Sequence, residues 1–363
     1  MNQPINIFDY ENLACQNLTK MALDYYNSGA GDEVTLRDNR AVFDRWKLRP
    51  KVLVDVSQRD LSTTVLGKRL AIPILIAPMA FQCLAHPEGE LATAKAAAEL
   101  GTIMILSTLS TKSLEAVAQC RKNTPQWFQL YVHKDRALTE NLVRRAEAAG
   151  YSALCLTVDA PLLGKRERDR HNQFTLPPGM QLANLATESN LKIPQTTGES
   201  GLFAYFAQQL DPSLTWQDLE WLQSLTKLPI AVKGILRGDD ALKAVEHGAK
   251  AIIVSNHGGR QLDGAIATLD ALTDVVSSVG DKAEILVDGG FRRGTDILKA
   301  LALGARAVLI GRPVLWGLAV TGETGAKNIL EIYRDELDSA IALCGCPRLK
   351  DIDNSLIVPS RSH

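Results

Sequence analysis

The stretch Thr295-Asp296-Ile297-Leu298-Lys299-Ala300-Leu301-Ala302-Leu303-Gly304 runs at helical period and ends on a glycine; Ala305-Arg306 then lead into the apolar run Ala307–Arg312. A glycine after the last apolar turn ends a helix, and a short apolar, β-branched run after it reads as a strand. The phrase recurs as Gly248-Ala249-Lys250-Ala251 against Gly304-Ala305-Arg306-Ala307, and Gly150 holds the same position before another run. Working outward, the same rhythm defines eight runs: Ile72–Ala80, Thr102–Thr108, Trp127–Val132, Ala153–Asp159, Leu228–Gly234, Ala251–Gly258, Glu284–Gly290 and Ala307–Arg312. Their starts lie 30, 25, 26, 75, 23, 33 and 23 residues apart, and every interval but the longest suits one strand and one return helix. Near-continuous apolar strands belong to a parallel sheet covered on both faces. Eight of them predict a closed (βα)8 TIM barrel, with an open doubly wound sheet as the alternative.

The reading gives one domain over residues 1–363. Residues 1–70 form an N-terminal helical segment closing the bottom or edge of the barrel. The barrel spans 71–325 and carries a long loop over 160–214, marked by Pro177-Pro178-Gly179 and Gly198-Glu199-Ser200-Gly201, that includes a mobile lid. Residues 326–363 supply a terminal helix, read over Gly325–Leu343, and a tail.

Forty Lys and Arg against 41 Asp and Glu leave a formal charge of −1, which argues against a nucleic-acid or polybasic membrane-surface partner. A hydrophobic fraction of 46% with 22% charged residues excludes a disordered or fibrous chain. No apolar run is long enough to span a membrane, and Met1–Tyr10 does not resemble a secretory leader. Six cysteines without CxxC spacing read as reduced thiols of a cytoplasmic protein, Cys344 and Cys346 among them as inert ones. The last residues, Ser360–His363, are not a peroxisomal address.

Barrel chemistry collects at the C-terminal ends of the strands. Here those ends supply Pro78-Met79-Ala80, Ser107, Gln129 with Tyr131, Thr157 with Asp159, Lys233, Ser255 with His257 and Arg260, Asp288-Gly289-Gly290, and Gly311-Arg312. The glycine-rich ends of the last two strands, followed by Arg292 and Arg312, predict a phosphate site. Ser255-Asn256-His257-Gly258-Gly259-Arg260 sets an imidazole three residues from a guanidinium: a proton acceptor near neutral pH beside a carboxylate clamp. That pairing suits a small acid activated at its α carbon, and Lys233 could stabilise negative charge developing nearby. Arg293 reads as a solvated charge. His86, His133 and His171 lack neighbours at metal spacing and read as structural, so no metal is expected.

SNHGGRQLDG at Ser255–Gly264, VDGGFRRGTD at Val287–Asp296 and IGRP at Ile310–Pro313 resemble the FMN-dependent α-hydroxy acid oxidases. DYYNSGAGDE at Asp24–Glu33, AHPEGE at Ala85–Glu90, FQLYV at Phe128–Val132, LTVDAP at Leu156–Pro161 and VKGI at Val232–Ile235 extend the resemblance over nearly the whole chain. It implies FMN as cofactor, oxidation of a small 2-hydroxy acid to the 2-oxo acid with O2 reduced to H2O2, and a homotetramer or homo-octamer. It further implies His257 as base with Asp159 as its partner, Arg166 and Arg260 as the carboxylate pair, and Tyr25 and Tyr131 as hydroxyls near the substrate. Lys233 resembles the lysine beside the flavin N1–C2 edge. Pro78, Met79, Ala80, Ser107, Gln129, Thr157 and Ser255 resemble contacts of the flavin ring; Asp288, Gly289, Gly290, Arg292, Gly311 and Arg312 resemble contacts of the ribityl phosphate.

Two positions depart from the glycolate-oxidase pattern, which has Thr after the first-strand proline and Trp three residues after the second-strand leucine. Met79 and Leu109 stand there instead. An aliphatic side chain in place of an indole makes room for a methyl group, so L-lactate is the expected substrate and glycolate a poorer one, as in cyanobacterial lactate oxidases. Three other readings compete. A hydroxy acid dehydrogenase could use another electron acceptor, although the polar Pro177–Ser213 lacks the apolar or basic insertion of membrane-bound relatives. A cofactor-free barrel isomerase or lyase would leave Lys233 and Gln129 without partners. A non-catalytic phosphate-ligand sensor would not need the convergent His, Arg, Lys and Tyr set.

Overall fold

Alternation along each strand divides the residues of the barrel between an inner layer and a helix-facing layer. In the computed structural model, which describes residues 4–185 and 200–360, the inner set includes Leu75, Ile105, Trp127, Ala153, Cys155, Ala231, Ile253, Leu286 and Leu309. Their alternate neighbours, among them Ile74, Ile76, Phe128, Leu154, Val232, Ile252 and Val287, belong to the larger core under the helices. The strands are β1 Ile74–Ile76, β2 Met104–Leu106, β3 Gln126–Leu130, β4 Ala153–Thr157, β5 Ile230–Ile235, β6 Ala251–Val254, β7 Glu284–Asp288 and β8 Ala307–Ile310. All neighbours are parallel, and β8 closes on β1 through Val308 opposite Ile74 and Ile310 opposite Ile76. The (βα)8 expectation holds, and each of the eight apolar runs matches one strand, with β3 starting one residue before its run and β5 ending one residue after.

The return helices owe their positions to the same patterning. Thr268–Val279 buries Leu269, Leu272, Val275 and Val279, one face of a helix. Gly150, Gly248 and Gly304 each follow a helix with φ of 81°, 93° and 104°, the left-handed geometry that stops it before a strand. The helix Arg312–Leu343 is broken at Thr321 and Gly322, and its second part contains the helix expected over Gly325–Leu343.

The N-terminal segment differs from the expectation of helices alone. Helices Ile7–Asn17, Lys20–Asn27 and Val34–Ala41 are followed by an antiparallel hairpin, Thr63–Val65 with Lys68–Leu70. Val65 and Leu70 are fully buried in the inner layer, and the Leu66 amide donates to Glu284 Oε2 at 2.9 Å at the start of β7. The hairpin therefore plugs the bottom of the barrel, while the helix Lys20–Asn27 runs to its mouth. Three-residue strands are too short for a periodicity reading to separate from loop. Trp46–Leu48 pairs antiparallel with Ile357–Pro359.

The chain between β4 and β5 is not a bare loop: Glu167–His171 and Gly201–Gln209 are helical, and Trp216–Leu225 is the return helix. The mobile lid expected here lies in part outside the described residues, which omit 186–199.

Candidate active site

Continuing the inward phase of each strand by two residues turns the apolar inner layer into a polar one. Trp127 leads to Gln129, Cys155 to Thr157, Ala231 to Lys233, Ile253 to Ser255, Leu286 to Asp288 and Ile105 to Ser107. All of these side chains but Ser255 reach the floor of a cleft at the C-terminal face. Its lining includes Tyr25, Pro78, Met79, Ala80, Ser107, Leu109, Gln129, Tyr131, Thr157, Arg166, Lys233, His257 and Arg260. Asp288, Gly289, Gly290, Arg292, Gly311 and Arg312 line it as well. Two expected site residues do not. Asp159 stands behind His257, and the fully buried Ser255 sits beneath Lys233, where its hydroxyl accepts from Lys233 Nζ at 2.8 Å and from the His257 amide at 3.1 Å.

Asp159 Oδ1 lies 2.8 Å from His257 Nδ1, so Nε2 is left for chemistry in the cleft. His257, Gly258 and Gly259 form a left-handed run with φ of 58°, 65° and 76°. For the histidine this costs about 1–2 kcal/mol and turns the ring away from the strand. Gly234, at φ 112° beside a register shift in β5, leaves the space Asp159 occupies: a Cβ there would meet the Asp159 Cβ at 2.6 Å. Burial lowers the pKa of His257, opposed by Asp159 and aided by Lys233. Burial raises that of Asp159, but His257 and Lys233 outweigh it and hold the carboxyl below its usual range. The Lys233 ammonium, 3.3 Å from Asp288 Oδ2, is desolvated, yet Asp288 and Asp159 keep it above its ordinary value.

Among the described residues, four guanidinium groups line the cleft without a carboxylate partner. Arg166 donates to the Arg260 carbonyl and to Gln261 Oε1, both at 3.3 Å; burial, with Arg260 nearby, lowers its pKa to about 10. Arg260 donates to the carbonyls of Tyr25 at 2.5 Å and Ser28 at 2.9 Å. Arg312 donates to Tyr26 O at 2.8 Å, Ser28 O at 3.0 Å and Gly258 O at 3.1 Å; burial and the cations Arg260 and Arg292 push it down to about 9. Arg292 lies over the Trp316 ring at 4.6 Å and donates to the Phe291 carbonyl at 2.9 Å. Neutral oxygens at the C-terminal end of Lys20–Asn27 thus carry much of this charge, and the cleft is built for anions.

Between the two Tyr candidates, the Tyr26 hydroxyl is spent on the Phe81 carbonyl at 2.7 Å, whereas Tyr25 stacks on Phe174 at 4.4 Å beneath Arg260. Leu202 and Phe206, which sequence reasoning missed, reach the cleft from Gly201–Gln209, and Phe206 meets the Tyr131 ring edge-on at 5.5 Å. Their four-residue spacing inside GLFAYFAQQ is the signal that was available. Arg293 is not simply solvated: it pairs with Glu336 at 2.8 Å and lies over Phe8. His133 is buried against the Tyr205 hydroxyl. Among the described residues no cluster of His, Cys, Asp or Glu is arranged to hold a metal.

The residues present fit FMN. Gln129 Nε2, Thr157 Oγ1 and Asp288 Oδ1 are buried polar atoms without partners among the described residues at the cleft floor, an arrangement that calls for a polar ligand. The glycines at 289, 290 and 311 and the guanidiniums of Arg292 and Arg312 suit its phosphate.

A parallel barrel whose mouth joins a histidine–aspartate pair and anion-binding arginines to an unsatisfied polar floor suits a flavin-binding oxidoreductase. Residues 14–359 match the FMN-dependent dehydrogenase family, and the chain belongs to it. It is 68% identical to the L-lactate oxidase of Nostoc sp. over 98% of this chain and 99% of that one. Identity to the human 2-hydroxyacid oxidase 1 is 51%, over 97% of this chain and 96% of the other. A mandelate oxidase solved with (S)-4-hydroxymandelic acid superposes with a TM-score of 0.92 at 41% identity, covering 96% of this chain and 97% of that one.

Proposed function

We propose that this protein is an (S)-2-hydroxy-acid oxidase that converts L-lactate to pyruvate with FMN, O2 being reduced to H2O2, and takes glycolate less well. The observation that carries the choice of lactate is Leu109 and Met79 on the wall of the cleft that also holds His257 and both arginines. A single methyl group in such a pocket is worth about 1–3 kcal/mol of discrimination.

Arg166 and Arg260 bind the substrate carboxylate, and Tyr25 and Tyr131 orient its hydroxyl. His257 Nε2 removes a proton from the substrate, and the carboxylate of Asp159 stabilises the imidazolium so formed. FMN, when bound, supplies the two-electron acceptor. Lys233 and Gln129 would face its ring, with Lys233 keeping positive charge where negative charge grows; Arg292 and Arg312 would hold its phosphate.

The free state of all six cysteines supports a cytoplasmic setting, and the family resemblance supports a homotetramer or homo-octamer. The deciding experiment is the visible spectrum of the protein under anaerobic conditions, with L-lactate and glycolate in parallel cells. Faster bleaching by lactate is expected; equal or faster bleaching by glycolate overturns the substrate assignment. Rapid H2O2 formation in air without an added acceptor separates an oxidase from a dehydrogenase.

A further inference from the structure

Two loops carry the proposed chemistry: the one after β4 holds Asp159 and Arg166, and the one after β6 holds His257 and Arg260. Besides the His257–Asp159 pair and the bond from Arg166 to the Arg260 carbonyl, one side-chain amide joins them at several points. Gln261 Oε1 accepts from the Gly164 amide at 2.9 Å and from Arg166 Nη2 at 3.3 Å, while its Nε2 donates to the Asp159 carbonyl at 3.0 Å and the Leu162 carbonyl at 2.8 Å. All four hydrogen-bonding directions of the amide are used, and a flip would set its NH2 against two donors. The packing leaves no slack, since a Cβ on Gly164 would lie 2.2 Å from the Arg260 carbonyl and 2.6 Å from Gln261 Cα.

We infer that Gln261 is a positioning residue that fixes Arg166 relative to the His257–Asp159 pair and, by being neutral, leaves the Arg166 charge free for the substrate carboxylate. A glutamate of the same length would lose both donors and neutralise Arg166; a methionine would lose the whole bridge; an asparagine is too short to span it. The inference rests on the reading of Arg166 as a carboxylate ligand.

The test compares Gln261→Glu, Gln261→Met and Arg166→Met, each loaded with FMN, by KM for L-lactate, the limiting rate of flavin reduction, and the Kd of pyruvate read from the perturbed flavin spectrum. Neutralisation of Arg166 in Gln261→Glu, and loss of its hydrogen bond in Gln261→Met, predict KM and pyruvate Kd raised about 10- to 100-fold, with a smaller change in the limiting rate. Gln261→Glu, which adds a charge that competes for Arg166 as well as losing both donors, raises the pyruvate Kd further than Gln261→Met, which only removes the bridge. A general loss of structure would not produce that difference. Unchanged KM and pyruvate Kd in Gln261→Glu, or a penalty in Gln261→Met as large as that in Gln261→Glu, overturns the inference. If Arg166→Met also leaves pyruvate binding unchanged, the carboxylate reading itself has failed.

Discussion

Arg260 and Arg312 donate to the same carbonyl oxygen of Ser28, at 2.9 and 3.0 Å, and both reach that of Tyr26. One helix end therefore supports a cation assigned to the substrate and a cation assigned to the cofactor phosphate.

Among the described residues Arg312 has no acid to neutralise it, so its burial opposes folding until an anion binds. Arg312→Met is expected to weaken FMN binding by about 10- to 100-fold while leaving the Tm of the FMN-free protein unchanged or higher. Titration of the apoprotein with FMN and thermal melts of both forms check this; a lower Tm in the FMN-free variant would mean that the carbonyls alone satisfy the guanidinium.

His257→Gln removes the proton acceptor and keeps a polar group of similar reach. Flavin reduction by L-lactate should slow by at least about 10²- to 10⁴-fold with FMN retained. Stopped-flow reduction and the flavin-to-protein absorbance ratio measure the two effects separately, and loss of FMN would make the residue structural.

Because burial holds the His257 pKa below its ordinary value, the neutral base persists into mildly acidic solution. The acid limb of kcat/KM should therefore lie below the midpoint of an exposed histidine, about 6.5. Asp159→Asn removes the group that opposes this lowering, so the limb should move further toward acid while the rate falls at every pH. A limb that moves toward alkali would show that the carboxylate does not act on the ring.

Leu109→Trp should lower kcat/KM for L-lactate relative to glycolate by about 10- to 200-fold, since an indole fills the space the methyl group needs. Steady-state kinetics on both acids decides it, and an unchanged ratio would move the specificity to Met79 or to Leu202 and Phe206.

Buried His133 keeps its ring neutral down to about pH 4, against 6.5 when exposed. The unfolded chain accordingly takes up a proton that the folded chain refuses, and stability falls as pH drops from 6.5 toward 4, by about 3 kcal/mol. Urea unfolding across this range should show a shallower fall in His133→Gln than in the parent protein.

The barrel and most of its polar floor were legible because both follow from one local rule. The alternation that buries Trp127 also delivers Gln129, and the one that buries Ala231 delivers Lys233. The sequence reading falls short where contacts join distant segments: Ser28 with Arg312, Gln261 with Gly164, and the reciprocal amide pair of Asn39 and Asn256 at 2.8 Å. None has a period. The same holds for Ser255, whose place at a strand end suggests a ligand contact although its hydroxyl is spent on Lys233 and the His257 backbone.

The hairpin that plugs the barrel floor precedes every strand of that barrel in the chain. Val65 and Leu70 have no inner layer to enter until β8 has found β1 and the ring has closed. During synthesis, then, a hairpin with two apolar side chains to bury emerges first and waits for the last strand. Closure between such distant partners makes refolding slow, with docking of the plug as a late event.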